Sequence, residues 1–417
     1  MNKRIILWIL LFAVGGCGGA QMGSERTNSL LVAANGIVIT PPVGIAMGGY
    51  FEPDRKASEI HDNLYARGLL MEFPNGKRLA FVSVDLIGLL SYDVNLIAKK
   101  LKYDCELFIF STHQHSGPDT IGIFGSGGRD EKYMENLRAR IAELLVILSD
   151  ELKPAKMYHG VVYGRGFSRN WRVPEEVDSA IDVLSFHNNA GFIATLVNFG
   201  CHPEALGRQN KAITADFPGY LVNEIESRLG GRALFANGAL GAMVSINADN
   251  FKNKDKGFEL AKEVGSAIAE QAVKCVLTNS RPVSTENFSV QRKRIAIKLE
   301  NDSFRSAILS GTAPFSEENF DGDNVITEVG AVTIGNLKIV MIPGEITPGL
   351  GKQIKFSANF NSPLWHAMLI GLANDEIGYI LPIQDFDLPL YNYDRSVSVG
   401  RQADPMIRQT LEKMLGR

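Results

Sequence analysis

Four short segments of this chain carry side chains that bind metals or move protons, and each follows an apolar run or turn. The densest is Ser111-Thr112-His113-Gln114-His115-Ser116-Gly117-Pro118, after the apolar stretch 107–110. Side chains at i and i+2 of an extended segment point to one side, so both imidazoles can face one point. Neutral imidazole is a common zinc ligand, and the chain has only seven histidines in all. Asn198-Phe199-Gly200-Cys201-His202-Pro203 delivers another histidine at the end of a second run, 192–199. Ile342-Pro343-Gly344-Glu345 ends a third with a carboxylate, and Asn374-Asp375-Glu376-Ile377-Gly378-Tyr379 closes on a phenol. Taken singly, these residues read equally well as a polar loop, a structural histidine, a solvated glutamate and a core tyrosine. Their repetition at strand ends is the signal, because zinc needs three or four convergent donors. The remaining cysteines, Cys105, Cys201 and Cys275, form no C-x-x-C pair, so a metal here takes nitrogen and oxygen donors.

The elements that must position these residues interleave. Hairpins are predicted around Asn75-Gly76, Asn188-Asn189-Ala190-Gly191 and Gly335-Asn336. Helical periodicity covers 133–148, 219–228 and 257–276, with a last helix from about Pro405. Strands that alternate with helices yet pair through hairpins imply an α/β (α+β) fold of mixed β-sheets with flanking helices. No linker divides the mature region, so one large domain over 31–417 is expected.

The 417 residues suffice for a large core, and a net charge of −3 offers no basic footprint for nucleic acid. Lys3 and Arg4 precede a ten-residue apolar run, 5–14, then Gly15-Gly16-Cys17. That is a secretory signal, too short for a membrane span of about 20 residues. Val14-Gly15-Gly16-Cys17 also resembles a bacterial lipobox. The expectation is a signal over 1–17, a tether over 18–30, and an exported protein, periplasmic or at the cell surface, anchored in the membrane through lipidated Cys17.

These segments resemble the neutral (non-lysosomal) ceramidases and their bacterial relatives over nearly all of the mature region. Ile39-Thr40-Pro41-Pro42, Met47-Gly48-Gly49-Tyr50, Ile60-His61 and Leu64-Tyr65-Ala66-Arg67 are similar to that family's opening. Residues 112–118 match its Thr-His-x-His-Ser-Gly-Pro motif, and Asn198 to Pro203 its second histidine motif, with Asp216-Phe217-Pro218-Gly219-Tyr220 following. Pro343-Gly344-Glu345 with Thr347, and Gly371-Leu372-Ala373-Asn374 leading to Gly378-Tyr379, match its glutamate and tyrosine segments.

The resemblance implies Zn2+ held by His113, His202, Glu345 and Tyr379. It makes His115 a group that stands behind the ligands or contacts substrate, and Tyr393, before Asp394, a substrate-binding tyrosine displaced by two residues in spacing. Asp216 becomes a candidate for orienting a metal ligand from behind. Where the family has Gly-Asp-Val-Ser-Pro, this chain has Gly241-Ala242-Met243-Val244-Ser245, so no serine nucleophile is assigned. Arg169-Asn170-Trp171-Arg172 stands where relatives have a substrate-contacting Asn-Arg pair. The likeness covers the catalytic N-terminal domain, with no C-terminal immunoglobulin-like domain.

The implied reaction is zinc-assisted hydrolysis of an N-acyl lipid such as ceramide to a fatty acid and a sphingoid base. His115 could stabilise the oxyanion or protonate the leaving amine. Two alternatives stand beside it. One is a zinc hydrolase of the same fold acting on another amide or ester. The other is a non-catalytic lipoprotein that binds a ligand in a hydrolase-like pocket.

Overall fold

The computed structural model describes residues 29–255, 257–359 and 367–416. The signal, Cys17 and the tether up to residue 28 lie outside the described residues.

Strand alternation explains the layers. In the strand Arg78–Val84, Leu79 and Phe81 face one core while Ala80 and Val82 face another. In Glu106–Ser111, Phe108 and Phe110 oppose Leu107 and Ile109 in the same way. A strand apolar on both faces must be covered on both faces. One cover is the helix Glu131–Asp150, packed through Leu137, Ile141, Leu144 and Leu148. Asp130 caps that helix by accepting from the Tyr133 N–H. The helix approaches so closely that a Cβ on Gly68 would lie 2.5 Å from Leu148 Cδ1.

The other cover is two further sheets. The first sheet runs in the order Glu106–Ser111, Arg78–Val84, Tyr65–Glu72, Leu31–Val38, Lys153–Pro154. The second runs Arg232–Asn237, Gly191–Phe199, Ala180–Asn188, Lys156–Tyr163, Arg281–Pro282. The third runs Phe288–Lys298, Asn324–Ile334, Leu337–Met341, Met368–Ile370. All three contribute to one central core that includes Phe81, Phe108, Phe186, Leu196, Val332 and Ile339. Each such side chain, fully withdrawn from water, contributes about 1.5–3 kcal/mol. The outer faces of the second and third sheets pack under Asp216–Leu229 with Gly257–Thr278, and Pro348–Asn359 with Ala403–Met414. The result is mixed sheets between helical layers in a single domain.

The three hairpins form where expected, with Glu72 opposite Arg78, Asn188 opposite Gly191 and Ile334 opposite Leu337. Not foreseen is the long ribbon of Phe288–Lys298 against Asn324–Ile334, with the helix Asp302–Leu309 between its strands.

Each sheet contains one parallel pair that includes an edge strand: Arg78–Val84 with Glu106–Ser111, Gly191–Phe199 with Arg232–Asn237, and Leu337–Met341 with Met368–Ile370. The carboxyl ends of these pairs are tied to one another. Ser83 Oγ donates to the Phe235 carbonyl, the Gly371 N–H to the Asn237 carbonyl, the Ser111 N–H to the Leu372 carbonyl, and Asn237 Nδ2 to the Thr112 carbonyl. Carboxyl ends of parallel strands are where α/β proteins place ligands.

Candidate active site

His113 follows the first of these strand ends in the left-handed region, at φ 64°. The chain past Ser111 is therefore not the straight extension that the i, i+2 spacing suggested, although both imidazoles still meet, with ring centroids 5.0 Å apart. Ala242, Met243, Leu372 and Asn374, around the same strand ends, are also left-handed. Such residues cost about 1–3 kcal/mol each and persist only where their surroundings over-determine them. Here the His113 N–H donates to the Leu86 carbonyl at 2.9 Å and the Asn374 N–H to the Ile109 carbonyl at 2.7 Å.

His113, His115 and His202 are buried, and each offers a nitrogen within 4.8 Å of the others. His113 Nδ1 lies 2.6 Å from the Ile87 carbonyl and His202 Nδ1 2.8 Å from the Val244 carbonyl. Those carbonyls accept an N–H from Nδ1 and leave Nε2 of both rings as lone pairs. The lone pairs face a single carboxylate oxygen: Glu345 Oε2 is 2.9 Å from His202 Nε2 and 3.4 Å from His113 Nε2. Tyr379, paired with Glu345 across a short parallel ladder, brings its hydroxyl to 3.4 Å from His202 Nε2 and donates to Met243 Sδ at 3.2 Å.

Three buried acceptors pointing at one another repel unless a proton or a cation sits among them. The spacing suits a cation, since two donors about 2.1 Å from a tetrahedral zinc lie about 3.4 Å apart. The residues present therefore fit zinc, and the four that the sequence singled out are brought together. Burial alone would raise the Glu345 pKa, yet His113 and His202 hold it well below the usual carboxylate range. Burial lowers the His202 pKa, and the hydrogen bond and charge of Glu345 outweigh that and raise it. Burial, with Glu345 beside it, drives the Tyr379 pKa well up.

His115 differs. Both its ring nitrogens are shut off from solvent and have no hydrogen-bond partner. Burial and the neighbouring histidines push its pKa well below the ordinary value, so the ring is neutral. Its position is held from outside the cluster: Tyr50 meets it edge-on at 4.9 Å, and Arg55 donates to its backbone carbonyl at 2.8 Å. A Cβ on Gly49 would lie 2.7 Å from His115 Cγ, which explains a glycine there. Met47-Gly48-Gly49-Tyr50 and Arg55 thus support the site, a role that the sequence pattern did not disclose.

Asp216 is buried at a left-handed φ of 54° and accepts from the Phe217 N–H at 2.6 Å. The orienting role expected of it is filled instead by the Ile87 and Val244 carbonyls, because those lie directly behind the two rings. Its pKa is pushed up by burial to about 7. Ser245 bridges His202 through the backbone, and its hydroxyl donates to Glu204 at 2.5 Å. Glu204 also accepts from Tyr50.

A partly open cavity faces His113, His115, Glu345 and Tyr379, with Tyr393 also in its lining. Tyr393 is 44% exposed, its ring 6.5 Å from that of Tyr379. Most of the remaining wall is hydrocarbon, including Ile121, Phe124, Phe304, Ile308 and Phe315. The exception is Glu376, whose Oε1 accepts from the Gly378 N–H at 2.9 Å while Oε2 is shielded and without a partner. Burial, then the charge of Glu345, raises its pKa well above the usual value.

Layered mixed sheets, a buried nitrogen–oxygen donor cluster at converging strand ends and an apolar cavity define an α/β protein built around a metal-type site. The particular likeness is to neutral ceramidases, in sequence and in fold. The chain is 24% identical over 298 residues to a neutral ceramidase of Oryza sativa subsp. japonica, across 64% of this chain and 37% of that protein. It therefore spans little more than a third of that relative's length. It superposes on the neutral ceramidase of Pseudomonas aeruginosa with a TM-score of 0.79 and 18% identity, over 93% of this chain and 74% of that one. A ceramidase complexed with C2 gives a TM-score of 0.79 and 18% identity over 93% and 75%. No family model matches the chain.

Proposed function

We propose that the chain hydrolyses the amide bond of an N-acyl lipid, with zinc held by His113, His202, Glu345 and Tyr379. The observation that carries this reading is the donor cluster opening directly onto a hydrocarbon-lined cavity. That arrangement suits a substrate with one polar, hydrolysable bond and a long apolar chain. The likeness to neutral ceramidases, including one complexed with C2, supports ceramide as the first substrate to try.

When bound, zinc supplies Lewis acidity, which makes water a competent nucleophile near neutral pH and polarises a carbonyl. The chain's own groups do the rest. Glu345 supplies the negative charge that holds the cation, and the Ile87 and Val244 carbonyls keep both histidines in the ligating tautomer. His115, held neutral by burial, keeps one N–H to give to the carbonyl oxygen as charge develops there. The same ring can take up the proton released by the attacking water on its free nitrogen and pass it to the departing amine, which returns the ring to its neutral form. The apolar wall excludes bulk water and seats the chain, with Tyr393 contacting the incoming substrate. Export through the N-terminal signal and anchoring through a lipidated Cys17 belong to the same proposal.

The test is to offer zinc-loaded protein a panel of N-acyl sphingoid bases, other N-acyl amides, peptides and esters. Fatty acid and free amine are expected from an N-acyl lipid, and chelation or His113→Ala should abolish their release. Turnover of esters or peptides alone would transfer the site to another substrate class, and turnover of nothing by the zinc-loaded protein would end the hydrolase reading.

A further inference from the structure

One wall of the cavity is held differently from the rest. The ribbon of Phe288–Lys298 against Asn324–Ile334 stays in register as far as Lys298 opposite Asn324, and the excursion 299–323 leaves it there. The Leu299 N–H donates to the Asp323 carbonyl at 2.9 Å and closes the base of that excursion. Its helix, Asp302–Leu309, contains no buried residue, and Leu309 is 73% exposed. Even so, the excursion brings Phe304, Ala307, Ile308, Ala313 and Phe315 to the cavity that the donor cluster faces. Phe304 and Ala307 also line an adjoining surface groove, together with Gly122, Gly125 and Gly128, so the helix borders both spaces.

The polar ties of the excursion lie at its two ends. Asn301 Oδ1 caps the helix by accepting from the Ser303 and Phe304 N–H groups, and Asn301 Nδ2 donates to the Ser396 and Ser398 carbonyls at 2.9 and 3.0 Å. Towards the other end, Asn319 Nδ2 donates to the buried Ser91 Oγ at 2.8 Å. Between these ties the bonding turns inward: Arg305 donates to the Leu299 and Gly322 carbonyls, and Ser310 pairs with Thr312. Among the described residues, 302–315 make no hydrogen bond or ion pair to anything outside the excursion. Side chains that border a void lack partner atoms on that side, and local opening is cheapest where buried contacts are few.

Resting on the reading of this cavity as the seat of the substrate's chain, we propose that 302–315 is a flap, pivoting near Asn301 and Asn319, that lifts to admit an alkyl chain and closes on it. Lifting joins the cavity to the groove and gives the chain a way in. A bound chain fills the space that Phe304, Ile308 and Phe315 border, and so favours the closed state over the open one.

Hydrogen exchange followed by mass spectrometry on the zinc-loaded protein tests this without turnover. In the free protein, amides of 303–313 should exchange at least about a hundredfold faster than those of the ribbon strands on either side. A saturating long-chain fatty acid should slow the flap at least about tenfold, the return expected from covering about two methylene groups, and leave the ribbon unchanged. Asn301→Asp keeps the cap but loses the Nδ2 donations, and should speed the free flap about fivefold or more. Flap amides as slow as those of the ribbon, or no selective slowing by the acid, overturn the proposal. If Asn301→Asp fails to fold, the comparison of free and acid-bound parent still decides. Turnover of an N-acyl lipid without flap slowing would end the flap and leave the hydrolase reading standing; slowing without turnover does the reverse.

Discussion

Glu345→Gln preserves the volume of a buried side chain and removes its charge. Among His113, His202, Glu345 and Tyr379 that carboxylate is the acid, and without a metal burial and Glu345 raise the Tyr379 pKa. A unit charge pair at 3.4 Å, the separation of Glu345 Oε2 and His113 Nε2, interacts by about 5 kcal/mol at an effective dielectric of about 20. A divalent ion doubles the charge and sits closer, while dehydrating the carboxylate offsets part of the gain, so about 5 kcal/mol is the expected size of the loss. It corresponds to more than three decades in affinity. Zinc competition against a chromophoric chelator, with metal content measured on the dialysed protein, should show Glu345→Gln weakened at least about a thousandfold. Tyr393→Phe, altered at the open end of the cavity, should bind zinc as the parent does. A Glu345→Gln protein that keeps one zinc per chain within tenfold of the parent Kd would refute the assignment of this carboxylate as the charged ligand.

Asp216 offers a test in pH. An acid whose pKa rises on folding from 3.8 to about 7 favours the folded state below about pH 4 and loses that contribution as pH climbs towards 7, by about 4 kcal/mol. Asp216→Asn should therefore melt higher than the parent at pH 8, with the gap closing by pH 4; parallel melting curves across that range would contradict it. Ser245→Ala should keep turnover within about tenfold and cost about 1 kcal/mol of stability, through the lost hydrogen bond to Glu204. Abolished turnover with zinc retained would make that hydroxyl part of the chemistry.

His113, His202 and Glu345 were legible because each follows an apolar run, and a run of that kind delivers its last residues to the rim of a sheet; Tyr379, after a polar turn, was legible only through the family resemblance. The three hairpins were legible through their Asn and Gly turns. What could not be read was geometry set by distant backbone. Nothing in the sequence around His113 marks a left-handed residue, and no side-chain pattern signals that carbonyls of Ile87 and Val244 would do the orienting expected of Asp216. The ribbon strand Phe288–Lys298 was missed because Gln291-Arg292-Lys293-Arg294 interrupts its alternation. One face of that edge strand meets solvent, so charge is tolerated there. Glu376 was hidden in plain view: within Asn374-Asp375-Glu376 it reads as loop, and only the cavity reveals it as a wall.

The tying together of three sheet edges also bears on how the molecule matures. His202 and Glu345 are 143 residues apart in the chain, and His202 and Tyr379 are 177. Closing such spans is slow and rewards the chain only at completion. Each sheet can form its hairpins by itself, but none owns more than part of the donor set. On the proposed reading, metal capture would be among the last events of folding and would act as a keystone between pieces formed separately.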